Sequence, residues 1–134
     1  MCFWTNEENG TRGAKAYADS TKNEHHVMGI ECDGGTFQPT GFSGKMPDDL
    51  KADIMDAFKL LDRVHANQLV EGEGGADTGP LLQKGIPVME LTVDTTKYFW
   101  YHHTEGDTPD KLKPSEMNDC VYAMALGAWA AANR

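Results

Sequence analysis

The chain has 134 residues, with 12 Lys plus Arg against 21 Asp plus Glu, a formal charge of −9 with neutral histidines. That balance argues against a nucleic-acid partner and against an anionic membrane surface, because both need clustered cationic side chains. With 40% hydrophobic residues and a length typical of one domain, residues 1–134 read as one folded domain and not as a disordered segment.

The longest near-apolar run, Val121 to Ala132, falls well short of the about 20 residues that cross a bilayer. Cys2, Cys32 and Cys120 are far apart and form no CxxC pair, so the expectation is buried free thiols rather than a disulfide framework or a zinc ribbon. No basic segment followed by an apolar stretch marks a secretory signal, and the compartment stays unassigned.

In chain order, Met1 to Thr5 are apolar and β-prone and break abruptly at Asn6-Glu7-Glu8-Asn9-Gly10, which predicts a strand running into a functional loop. Ala14, Tyr17 and Ala18 repeat at helical spacing, so residues 11–20 are expected to be a short helix. His26 to Cys32 read as a strand closing on Asp33-Gly34-Gly35, and residues 36–46, with Pro39 and several glycines and no period, read as a loop. Pro47 suits a first helical position, and Asp48 and Asp49 suit the positive end of the helix dipole. Leu50, Ile54, Ala57, Phe58, Leu61 and Val64 then trace one apolar stripe of an amphipathic helix.

Asn67 to Val70 predict a short strand leading into the glycine-rich run 71–80; Leu81 to Lys84 predict a helical turn stopped by Gly85, and Pro87 to Val93 another strand. After the aromatic and histidine cluster Tyr98 to His103, Ser115 is expected to cap a final helix. Its buried stripe would be Met117, Val121, Met124, Ala128 and Ala132, widened by Trp129. Strands alternating with helices imply an α/β fold with a mostly parallel sheet, and ligands in such sheets bind beyond the carboxyl ends of the strands.

Three polar insertions fall there. In Glu7-Glu8 one carboxylate can bind a metal while its neighbour reaches a water on that metal, a division of labour suited to metal-assisted hydrolysis. By itself such a pair is no more than a solvated acidic turn. Asp33 ends an apolar strand, and His102 and His103, being adjacent, should diverge so that only one enters the site. Together, Glu, Asp and His supply the oxygen and nitrogen donors a catalytic zinc accepts. His25, His26 and His65 lack that context and read as structural or solvent-facing. The 72–79 loop has neither GxGxxG nor a GK[ST] ending, so nucleotide binding is not indicated, and no GxSxG elbow is present.

Five ordered motifs carry a resemblance across essentially the whole chain. They are Trp4-Thr5-Asn6-Glu7-Glu8-Asn9-Gly10, Glu31-Cys32-Asp33-Gly34-Gly35, Gly75-Ala76-Asp77-Thr78-Gly79-Pro80-Leu81, Gly85-Ile86-Pro87, and Tyr98 to Thr108. Their order and spacing resemble the catalytic half of metallopeptidase family 28, the co-catalytic dizinc exopeptidases, and are most similar to its carboxypeptidase Q branch. The resemblance implies a three-layer α/β/α zinc exopeptidase fold, two Zn2+ in a complete site, and hydrolysis of short peptides or dipeptides. It also implies a homodimer of the full-length enzyme and a secreted, periplasmic or lysosomal setting. By position it implies Glu7 as general base, Glu8 and His103 as ligands of one zinc and Asp33 as ligand of the other. Asp77 and Asp107 would order the surrounding loops.

Family members carry a His-x-Asp segment upstream of the Asn-Glu-Glu motif, and no such triplet occurs in these 134 residues. The chain is therefore expected to be the C-terminal part of a catalytic domain truncated at its N-terminus. Such a piece would hold zinc weakly and leave an open, apolar sheet edge. Two other readings compete: a glutaminyl-cyclase-like acyltransferase with one zinc, and a protease-like domain kept only for binding.

Overall fold

The computed structural model describes residues 1–133. Its elements in chain order are α1 (Arg12–Ser20), β1 (Gly29–Glu31), β2 (Pro39–Lys45), α2 (Asp48–Phe58) continued by a 3-10 turn (Lys59–Val64), and β3 (Gln68–Glu71). They continue with α3 (Gly79–Leu82), β4 (Val88–Val93), α4 (Tyr98–Tyr101), a 3-10 turn (Pro109–Lys111) and α5 (Pro114–Ala132). The sheet has the order β1-β4-β2-β3. β1 pairs with β4 and β2 with β3 in parallel, whereas β2 and β4 run antiparallel, so the sheet is mixed.

Side-chain alternation along β4 divides the core. Met89, Leu91 and Val93 join Phe42, Leu50, Ile54, Phe58, Leu61 and Leu69 under α2 and α5, while Val88 packs with Ala18 and Leu81 under α1 and α3. Helices thus lie on both faces of the sheet, the three-layer α/β/α arrangement expected.

Several expectations fail for identifiable reasons. Residues 39–45 form a central strand and not a loop. Phe42 is fully buried, and a Cβ at Gly44 would collide with the Val88 carbonyl oxygen while one at Gly41 would collide with that of Gln68. These glycines serve close backbone approach, the one use of strand glycine that resembles loop composition. Met1–Thr5 form no strand. The segment is tied instead to α1, with Gly13 N–H donating to the Thr5 carbonyl at 2.9 Å and the Trp4 ring 5.1 Å from that of Tyr17. α5 begins at Pro114, a residue suited to the first helical position, so Ser115 lies inside the helix and the N-cap position falls to Lys113, with no side-chain cap.

The buried face of α5 is also not the predicted stripe. Cys120, Ala123, Gly127, Ala130 and Ala131 face the core, while Met117, Val121 and Trp129 are exposed. Small residues let the helix approach the sheet closely: a Cβ at Gly127 would press on Met89 Cε and Phe42 Cζ. Of the three thiols only Cys120 is buried. It donates to the Phe37 carbonyl at 3.1 Å, and burial pushes its pKa up to about 12, which makes it unreactive. No helix among the described residues is long and apolar enough to cross a membrane.

Candidate active site

Because β1 and β4 are parallel, the segments leaving their carboxyl ends meet at one edge of the sheet. Asp33 lies two residues past β1, and α4 with the histidines follows β4. The 35–38 segment enters the same edge ahead of antiparallel β2, held by the Asp94 N–H donating to the Gln38 carbonyl at 2.8 Å.

There, His103 Nε2 and Glu8 Oε1 stand 2.7 Å apart, joining residues 95 positions apart in sequence. Both line a pocket of about 240 Å3 together with Asp33, Phe37, Tyr98 and Asp107. A larger cavity of about 450 Å3 shares Asp33 and is lined by Trp4, Tyr17, Glu31, Asp77 and Thr78. The backbone is left-handed at Asn6 (φ 60) and His103 (φ 58), one flanking Glu7 and the other at the imidazole itself. The histidine rings do not diverge as adjacency suggests. That φ turns them face to face, 3.9 Å apart, with His102 stacked in turn on Tyr98 at 4.5 Å.

Glu7 lies within the field of the same carboxylates. Desolvation, then the charges of Glu8, Asp33, Asp77 and Glu31, hold its carboxyl above the ordinary range. Asp77 and Glu90 are raised as well, by desolvation and then by Glu31 and Asp33. Tyr98 is raised by desolvation and by Asp33 and Glu8, so its phenol keeps its proton. Burial is the largest cause of each of these shifts, and the carboxylates around Asp33 add to it.

Sequence reasoning missed Glu31. Its carboxylate accepts from the Thr78 backbone N–H at 2.8 Å, the Thr78 hydroxyl at 3.1 Å and the Asp77 N–H at 3.2 Å. A Cβ at Gly75 would occupy the space of that carboxylate. The glycine-rich run is thus a cradle for a carboxylate of the chain itself. The signal was available, since Glu31 and Asp33 stand at i and i+2 on an extended segment and so share a face. Asp77 Oδ1 is buried without a hydrogen-bond partner. The other histidines are structural or exposed as expected: His26 Nε2 meets the Tyr17 hydroxyl at 3.0 Å, and His25 and His65 face solvent.

Among the described residues no three His, Cys, Asp or Glu side chains converge as they stand into a group able to hold a metal ion. Glu8 and His103, which would share one cation, bond to each other instead. The donor set of two carboxylates and an imidazole, embedded in excess negative charge, fits a divalent cation that accepts oxygen and nitrogen.

The model of peptidase family M28 matches residues 1–127. Carboxypeptidase Q of Xenopus laevis is 33% identical over 137 residues, and that of Homo sapiens 31% over 135; each alignment covers 99% of this chain and 29% of the relative. A crystal structure of a peptidase M28 precursor from Shewanella amazonensis superposes with a TM-score of 0.87 at 30% identity, covering 98% of this chain and 30% of that one. The chain therefore spans less than a third of the length of these relatives. On the match of its motifs, sheet and family model, the chain belongs to peptidase family M28.

Proposed function

We propose that the protein containing this chain is a zinc-dependent exopeptidase acting on short peptides or dipeptides, with Glu8, Asp33 and His103 as metal ligands and Glu7 as general base. The observation that supports it best is the 2.7 Å contact between Glu8 and His103 beside Asp33. It unites the two donors assigned to one cation from opposite ends of the sequence. Family membership and the carboxypeptidase names of the relatives support the same reading.

Zinc in that position would supply Lewis-acid activation of water and of the scissile carbonyl. The chain's own part is proton transfer and orientation. Glu7, raised above the ordinary carboxylate range by its surroundings, takes a proton from the attacking water and delivers it to the leaving amine. Tyr98, protonated and stacked on His102, holds the imidazole pair in place and closes one wall of the pocket. Asp77 and Asp107 border the site without a ligand role.

Glu7→Gln in the intact protein should lower kcat by about 10²–10⁴-fold while the zinc content measured by atomic absorption stays at the wild-type value. Retained turnover would refute Glu7 as the base, and lost zinc would show it to be a ligand.

A further inference from the structure

A metal-binding imidazole is ordinarily held in plane by a hydrogen bond from its other ring nitrogen to a carboxylate, a carbonyl or water. At His103, Nε2 faces Glu8 at 2.7 Å, and among the described residues no group bonds Nδ1. The side chain is 60% exposed, so surrounding atoms restrain it little. What meets the ring is the face of His102, 3.9 Å away and inclined by 23°. His102 is stacked in turn on Tyr98, and neither of its own ring nitrogens has a partner among the described residues. Phe99, 78% exposed, stands nearly perpendicular to both Tyr98, at 5.1 Å, and His102, at 6.0 Å.

The backbone builds this column. α4 is a single helical turn, and the His102 N–H donating to the Tyr98 carbonyl at 3.0 Å brings those two side chains together on one face. The chain then reverses over residues 101–104, where the Thr104 N–H donates to the Tyr101 carbonyl at 2.9 Å. With His102 at φ −49, ψ 121 and His103 at φ 58, this is a type II turn, whose third position favours glycine. Here that position carries a histidine, and the turn sets its ring against the one before it.

We propose that His102 is a positioning residue for the metal site: its ring face, backed by Tyr98 and Phe99, fixes the plane of His103 in place of the usual hydrogen bond. This rests on the peptidase reading above, in which His103 binds zinc. An exposed imidazole that rotates freely gives up that freedom when it ligates, whereas a ring already held does not, and the difference appears as metal affinity. The nitrogens of His102 take no part. A flat aromatic side chain therefore serves at position 102, and a polar one without a ring does not.

Zinc dissociation constants of the intact protein, measured by competition with a chromogenic chelator, separate ring face from ring nitrogen. His102→Gln should bind zinc about 2- to 10-fold more weakly, the contribution of one aromatic pair. His102→Phe should bind it as wild type does. The melting temperature of the metal-free protein should be the same in wild type and both variants, since His102 is only partly buried. Wild-type affinity in His102→Gln, a loss in His102→Phe as large as in His102→Gln, or a loss that follows a lowered melting temperature overturns the role of the ring face and leaves the peptidase reading intact. A wild-type protein that binds no zinc overturns the peptidase reading, and this inference with it.

Discussion

His103 and Asn6 adopt left-handed backbone, a conformation that costs a residue with a side chain about 1–2 kcal/mol and that clusters at functional sites. Asn tolerates it; His gains nothing local from it except the placement of its ring against His102 and Glu8. Carboxylate crowding beside it has a measurable consequence. Glu90 pairs across the sheet with Glu31, a like-charge neighbour that opposes pairing, and its carboxyl is raised by desolvation and by Glu31 and Asp33. A group whose folded-state pKa lies above its unfolded value contributes stability at low pH and loses it as pH rises through the folded value. Glu90→Gln should therefore raise the melting temperature of the metal-free protein by a few degrees at pH 7. That gain should shrink as pH falls toward 4 and below, where the wild-type carboxyl becomes protonated in both states. Thermal melts at the two pH values check this, and an equal gain at both would contradict it.

At the scale of elements, what periodicity encodes was readable and what close approach encodes was not. The stripe Leu50, Ile54, Phe58, Leu61 and Val64 is buried as its spacing demands. β2 was hidden because Gly41 and Gly44, which admit the neighbouring strands' backbone, look like loop residues. α5 misled in the opposite sense: small residues meet the sheet, Met117, Val121 and Trp129 face outward, and of the large residues in the predicted stripe only Met124 packs against the core. Two substitutions separate these faces. Val121→Lys, on a side 62% exposed, should change stability by less than about 0.5 kcal/mol. Phe42→Ala, fully buried against Phe58 at 5.0 Å, should cost about 3–5 kcal/mol. Denaturant midpoints measure both, and a large loss from Val121→Lys would restore the predicted stripe.

For the whole molecule, a net charge of −9 is gathered in part at one sheet edge, where Glu7, Glu8, Glu31, Asp33, Asp77 and Glu90 act on one another. Motif order in the sequence disclosed Glu7, Glu8, Asp33 and His103 as candidates. The i, i+2 spacing of Glu31 and Asp33 was visible in the sequence, but the hydrogen bonds from Asp77 and Thr78 that cradle Glu31 emerge only from tertiary placement. The site's chemistry turns on whether a cation neutralises that edge at Glu8, Asp33 and His103. Anomalous diffraction at the zinc edge from crystals of the intact, zinc-loaded protein measures this directly. One zinc should lie about 2.0–2.2 Å from a carboxylate oxygen of Glu8 and a ring nitrogen of His103, and a second at that distance from a carboxylate oxygen of Asp33; zinc bound elsewhere, or none at this edge, would contradict the proposed metallopeptidase site.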